Sequence, residues 1–474
     1  MQDVKIRNFL EISYEELETL NLEAKHRMVE GHDQEELKEH YLRYLKDERY
    51  CKAVALAFSD LEGRFHMLDF DKKYLLKAHE HLTFDGSSIR GFSEQRESDL
   101  RLEIDWASFR WLPSDVFGPG RVLIYTFIRD REGRPYHADM RGRLQAFTKE
   151  LKTRRDWVAQ AAFEIEGFLF KGLDAEQRFR PHEGFQFVSE GGYFHSLPLT
   201  PLKQFIDRLA EAQRALGFEN EKDHPEVAPS QFELNYSYCD ALVAADQAQL
   251  YKLVARQIAA SMGATASFLP KPRTNINGSG MHTNISLSKG EQNLLHDAAD
   301  GDGLSPLARE MISRLLASAE DLCLIMNPSV NAYRRLDPAF EAPNQIRVSS
   351  VDRSAMIRIP LCTERSARFE LRSVGPDANP YLLLFSLFHT ALSGKEDEAP
   401  NAERVLPNNI HDAISDFSNS QPMLDLLGAE CRDKYASLKM DSANRCPKDL
   451  GRKIKSGEVL FHHEVTNQHL WGQF

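Results

Sequence analysis

At 474 residues, 42% of them hydrophobic and 10% aromatic, the chain exceeds one compact core and predicts two domains, or one large α/β domain with a smaller partner. Its 59 Lys and Arg against 71 Asp and Glu leave a net charge of −12, which argues against a general nucleic-acid or anionic-membrane surface. Any anionic ligand must therefore meet locally clustered arginines.

Residues 1–48 are charged and periodic, which predicts amphipathic helices forming a solvated helical extension. Residues 51–70 alternate apolar and polar around the turn-prone SDLEG, a β-hairpin pattern, and RVLIYTFIRD (121–130) is a further strand. A small β-rich domain is thus expected over 49–135 and a larger domain over 136–474. In the larger part, helical stretches at 202–218 and 244–264 alternate with short polar-faced strands. The longest apolar run, Tyr381 to Leu392, is too short to span a bilayer and contains His389. Six cysteines (Cys51, Cys239, Cys323, Cys362, Cys431, Cys446) show no CxxC spacing, and no secretory signal is seen, so reduced thiols in a cytoplasmic protein are expected.

Four strand-like segments carry an unusual polar face. In FEIEGFLF (163–170), side-chain alternation puts Glu164 and Glu166 on one side of an otherwise apolar strand. EVAPSQFELNYS (226–237) places Gln231, Glu233 and Asn235 together, and Glu226 joins them only if the loop at Pro229 folds back. NGSGMHTNISL (277–287) follows a glycine-rich turn with His282, Asn284 and Ser286 on one face. ARFELRSV (367–374) aligns Arg368, Glu370 and Arg372, and the segments upstream add Arg334, Arg335, Arg353 and Arg358.

Five glutamates and one histidine on such faces suit two divalent cations with open positions for substrate. An oxygen-rich set without sulfur favours Mg²⁺ or Mn²⁺, and adjacent arginines suit bidentate phosphate binding. No G-x-x-x-x-G-K-[ST] occurs, which argues against a P-loop nucleotide site.

From about residue 50 onward the chain resembles the glutamine synthetase family in its bacterial type I form. The ordered motifs are FDGSSIRGF (84–92), FEIEGFLF, GGYF (191–194), EVAPSQFE, KPRTNINGSGMH (271–282), NPSVNAYRRLDPAFEAP (327–343), DRSAMIRIP (352–360) and RFELR (368–372). The resemblance implies an α+β fold: an N-terminal β-grasp domain and a catalytic domain built on a curved antiparallel sheet with surrounding helices. It further implies two or three Mg²⁺ or Mn²⁺ per active site and ATP as a substrate. Glu166, Glu226 and Glu233 would hold the cation near glutamate and ammonium; Glu164, His282 and Glu370 would hold the one at the ATP phosphates.

By the same resemblance Asn277, Gly278, Arg335 and Arg372 would bind glutamate. Arg353, Arg358 and Arg368 would meet the phosphates, with Ser286 also at ATP. Asp85 would bind ammonium and take its proton, reaching into a neighbouring subunit's site, with Ser88 and Tyr193 as companions. Glu341 would be a flap residue shielding the intermediate. Asp85, Glu341 and Arg353 are thus the expected catalytic residues, in a homododecamer with active sites between subunits.

Several positions depart from the family pattern. Phe163 replaces a glycine, Gly167 an aromatic, and Asp352 an asparagine, and the flap reads Asp337-Pro-Ala-Phe-Glu341 rather than Pro-Gly-Tyr-Glu. The loop at 402–407 lacks the tyrosine that some type I enzymes adenylylate. Two alternatives accompany glutamine synthesis: a γ-glutamyl amine ligase using a polyamine or other small amine, and a catalytically silent structural or regulatory oligomer.

Overall fold

The computed structural model describes residues 12–173, 175, 184–196, 198–396 and 403–444; Ala402, Cys446 and the closing segment 461–474 lie outside them. A first sheet comprises β1 (Ala53–Ser59), β2 (Phe65–Asp71), β3 (Thr83–Asp85), β4 (Asp99–Ile104), β5 (Arg110–Trp111) and β6 (Arg121–Arg129). Its order is β2-β1-β6-β4-β3, with β5 also on β6. The predicted hairpin is β1 and β2, with Ser59 opposite Phe65 across the SDLEG turn.

The N-terminal segment differs from the expected solvated extension. It forms α1 (Tyr14–Glu30), capped by Ser13 and ended by Gly31 in the left-handed region, and α2 (Gln34–Asp47), capped by Asp33. Both helices pack inward. Asn21 is 0% exposed; its amide donates to Trp111 O and Ala215 O at 2.9 and 2.8 Å and accepts from Trp111 N at 2.9 Å. Tyr41 stacks on Phe109, and Lys25 pairs with Glu219. The helices therefore join the first sheet to the helix Pro201–Ala215 through polar residues that a hydrophobicity pattern assigns to solvent.

The second sheet comprises β7 (Val158–Lys171), β8 (Asn220–Pro225), β9 (Gln231–Tyr236), β10 (Cys239–Asp240), β11 (Ala264–Ser267), β12 (Met281–Lys289), β13 (Gln292–Asn293), β14 (Gln345–Ser349), β15 (Ala355–Arg358) and β16 (Phe369–Leu371). Its order is β14-β15-β16-β12-β7-β9-β8, so the four polar-faced segments become neighbours. The long strand β7 lies at its centre, with Phe163 and Ile165 buried beneath and Glu164 and Glu166 on the other face.

Behind the sheet run the helices Ala241–Ser261 and Pro380–Ser393, the latter carrying the long apolar run as core. Arg141 links the two sheets' surroundings, pairing with Asp105 and Asp246 at 2.8 Å each in full burial. Among the described residues no helix is long and apolar enough to cross a membrane, and the five described cysteines are free.

Candidate active site

Strand register assembles the polar face. Across β7 and β12, Glu164 is paired with His282; across β7 and β9, Glu166 is paired with Glu233, and Glu233 in turn faces His224 on β8. The loop after β8 does fold back, because Glu226 N donates to Gln231 O at 2.9 Å. Two groups of ligand atoms result, each within 4.8 Å of one another: Glu164, His282 and Glu370, and His224, Glu226 and Glu233.

The second group differs from the expected set, since His224 stands in the close trio where Glu166 was expected. Glu166 sits between the groups. Its Oε1 is 4.0 Å from His282 Nε2, and its Oε2 accepts from Gly280 N at 2.8 Å and Gln231 Nε2 at 3.2 Å. His224 escaped sequence reading because a lone histidine before a proline carries little signal. Its spacing of two from Glu226 was the available clue.

Electrostatics separate the groups. Burial and the nearby Glu166 push the Glu226 carboxyl up to about 7, and burial with Glu166, Glu164 and Glu226 raises Glu233 as well. Burial also acts to raise Glu164, yet contacts from His282 (3.4 Å) and Asn284 (3.1 Å) bring it down to about 2. Glu370, 0% exposed, is neutralised by Arg358 on one oxygen and Arg372 on the other, at 2.7 and 2.8 Å. Crowded carboxylates, two of them raised by their neighbours, with imidazoles and no thiolate among the described lining residues, fit a hard divalent cation of the Mg²⁺ or Mn²⁺ kind.

The glycine-rich turn makes room for an arginine. A Cβ at Gly278 would lie 2.3 Å from Pro270 O, and one at Gly280 would lie 2.5 Å from Arg335 Nη2. Arg335 is 2% exposed; burial lowers its pKa to about 10, and it donates to Arg372 O at 3.0 Å. Arg335 Nη1 and Arg372 Nε are buried without a hydrogen-bond partner among the described residues, so two donors remain for an anionic ligand. Asn277 Nδ2 donates to Glu341 Oε2 at 2.6 Å, which brings the flap against the glycine-rich loop.

Arg353, Arg358, Arg368 and Tyr193 line the same cleft. Arg368 donates to Asn284 Oδ1 at 3.0 Å, and that asparagine's amide reaches Glu164, so Asn284 couples an arginine to a carboxylate. Asp352, the departure before Arg353, pairs with Arg347 and accepts from Ser354 N, which pins the loop carrying Arg353.

Ser286 lies beside this cleft. Its hydroxyl donates to Ala367 O at 2.8 Å, in a small recess shared with Tyr238 and Arg368. Asp85 and Ser88 are exposed on the first sheet's rim and do not line this cleft. There the Asp85 carboxylate accepts from Ser87 and Ser88 hydroxyls, which hold it below the usual range. Gly167 also has a physical account: a Cβ would lie 2.6 Å from the Phe232 ring and 3.0 Å from the Phe268 ring. The space an aromatic side chain would take is already filled from β9 and from Phe268, just beyond β11.

Comparison with known proteins agrees with this architecture. Residues 137–452 match the family described as glutamine synthetase, catalytic domain, and residues 50–127 match glutamine synthetase, beta-Grasp domain. The chain is 32% identical over 438 residues to a glutamine synthetase of Thermotoga maritima, covering 88% of this chain and 98% of that one. It is 35% identical over 373 residues to a glutamine synthetase of Staphylococcus aureus, covering 77% and 81%. In fold it is similar to a GmaS–ADP complex (TM-score 0.74, 24% identity, 86% of this chain and 97% of that). It is likewise similar to the Plasmodium falciparum glutamine synthetase (TM-score 0.77, 20% identity, 88% and 98%). With its β-grasp domain followed by the catalytic domain, the chain belongs to the glutamine synthetase family of ligases.

Proposed function

We propose that this protein joins ammonia to L-glutamate at the expense of ATP, giving L-glutamine, ADP and phosphate through γ-glutamyl phosphate. One observation carries the reading: two carboxylate–imidazole groups stand side by side at the base of a cleft that also holds Arg353, Arg358, Arg368 and Arg372. Such a cleft suits phosphoryl transfer to a carboxylate, which depends on positioning and charge stabilisation.

In this reading Glu164, His282 and Glu370 hold one Mg²⁺ or Mn²⁺, and Glu166, Glu226 and Glu233 another, with His224 beside the latter. The bound cations supply charge stabilisation for the transferring phosphoryl group. Arg335, Arg372, Asn277 and Gly278 receive glutamate, the unpartnered Arg335 Nη1 being suited to its carboxylate. Arg353, Arg358 and Arg368 bind the phosphates, and Ser286 borders the nucleotide. Attack by the γ-carboxylate oxygen on the γ-phosphorus releases ADP. Ammonium, held by carboxylates near Tyr193, gives one proton to the Asp85 of a neighbouring subunit. The resulting NH₃ attacks the acyl carbon, the C–O bond to phosphate breaks, and a second proton from nitrogen leaves with the phosphate. Glu341 keeps water away from the acyl phosphate.

We assign the protein to the bacterial type I form, as a cytoplasmic homododecamer without adenylylation at 402–407. Exposure of Asp85 and Ser88 away from their own chain's cleft supports their service at a neighbour's site. A second reading, a γ-glutamyl amine ligase, draws support from Tyr193 and Phe194. They stack at 3.9 Å beside His224 and offer an apolar wall to an alkylamine.

Purified protein with ATP, Mg²⁺ or Mn²⁺, glutamate, and ammonium or a panel of amines separates these readings, following phosphate release and product mass. Turnover with ammonium supports glutamine synthesis. Turnover with an amine but not with ammonium overturns it in favour of the second reading.

A further inference from the structure

We infer that Lys271 is a positioning residue: its ammonium ties the flap Asp337–Glu341 to the loop Ile276–Asn277 and so keeps the cleft closed over the acyl phosphate. This rests on the proposed ligase reading and adds to it a residue that touches neither substrate nor cation.

The geometry forms a closed circuit. Lys271 is 4% exposed, and its backbone is fixed from both sides by Asn331, which accepts from Lys271 N at 2.7 Å and donates to Lys271 O at 2.8 Å. From that anchor Nζ donates to Ile276 O at 2.5 Å and lies 3.9 Å from the centre of the Phe340 ring. The residues immediately following these two contacts, Asn277 and Glu341, are bonded to each other at 2.6 Å. One cation therefore grips each loop one residue away from the point where the loops meet.

The circuit holds together a seldom-adopted backbone conformation and a buried charge. Glu341 holds φ at 63°, a left-handed conformation that a side chain other than glycine seldom adopts, so the flap tip needs external contacts to persist. Burial also lowers the pKa of Lys271, with Asp337, at the flap's start, favouring its charge and Arg335 opposing it. A desolvated ammonium facing an aromatic ring is the stronger form of the cation–π contact. The flap's phenylalanine thus offers Lys271 a ring without a hydroxyl of its own to satisfy.

The test compares Lys271→Met, which keeps the stem and removes the charge, with Lys271→Arg, which restores a cation, and Phe340→Leu, which removes the ring. In the full-length protein, phosphate released per amide formed is measured with saturating ATP, glutamate and acceptor, alongside hydrogen exchange over 337–342. We expect Lys271→Met and Phe340→Leu to raise the phosphate-to-amide ratio and the flap exchange rate by about five- to tenfold, the worth of such a contact. KM for ATP should stay within about twofold, because the phosphate-binding arginines are untouched. Lys271→Arg should recover most of the coupling.

An unchanged ratio and unchanged flap exchange in both folded variants overturn the inference, as does a fall in kcat with the ratio constant. Should Lys271→Met fail to fold, Phe340→Leu at a half-buried flap position decides the question. Absence of amide with every acceptor in the unaltered protein would instead defeat the ligase reading, and flap exchange alone then tests the Lys271 tie.

Discussion

Glu164 and Glu166 rise from the same face of β7, yet their cross-strand partners stand on opposite edges of it, His282 on β12 and Glu233 on β9. A spacing of two residues is thereby converted into two neighbouring sites, one tied to Glu370 and its arginines and one tied to His224 and Glu226. Because β7 is paired on both edges, its backbone fixes the spacing from which the two carboxylates project.

Glu166→Ala is the most informative single change. It should reduce ligase turnover by about 10²- to 10³-fold or more, as expected when a cation ligand worth several kcal/mol in the transition state is lost. Without added metal the same variant relieves the repulsion that raises Glu233 but loses the bonds Glu166 accepts from Gly280 N and Gln231 Nε2. Its melting temperature should therefore stay close to that of the unaltered protein, and its stabilisation by Mn²⁺ should be smaller. Steady-state turnover and thermal melts with and without Mn²⁺ check these two outcomes; unchanged activity would defeat the assignment of Glu166 to a cation.

Metal-free stability should depend on pH through Glu226. Its carboxyl is raised from 4.5 to about 7 in the fold, so the stability contributed by its protonated form is complete below 4.5 and lost as pH rises through about 7. The melting temperature without metal should therefore fall across that window, and excess Mg²⁺ or Mn²⁺ should flatten the fall. Binding of the cation should also release protons near pH 6. Calorimetry in buffers of different ionisation enthalpy reads that release, and none would show that Glu226 is already ionised.

Gly167→Ala should destabilise the protein by about 1–3 kcal/mol through overpacking against Phe232 and Phe268. Urea denaturation measures it, and an unchanged midpoint would mean that the two rings can move aside. Displacement of β7 at this point also shifts Glu166, so weaker Mn²⁺ binding should accompany the loss.

Asn21→Ala removes three hydrogen bonds at a fully buried position. Leaving Trp111 N, Trp111 O and Ala215 O without this partner should cost about 2 kcal/mol or more. The denaturation midpoint should fall, with KM for ATP and glutamate unchanged, because neither Asn21 nor its partners Trp111 and Ala215 line the cleft. A variant with full stability would mean that the N-terminal helices are carried passively.

What the sequence by itself determined is the local geometry. Alternation along a strand obliges Glu164 and Glu166 to share a face, as it does His282 with Asn284 and Arg368 with Glu370, and the ordered motifs identify the family. Strand period says nothing of which strands become neighbours, and tertiary structure alone decided that. Pairing of β8 with β9 brought His224 opposite Glu233, and the returning loop delivered Glu226 to the same place. Likewise, the burial of Asn21 and Lys25 follows from partners about 90 to 190 residues away in the chain, and the need for glycine at 167 follows from two rings contributed by other segments. Such contacts are long-range, and a polar residue that will be satisfied by distant backbone reads, in sequence, like one facing water.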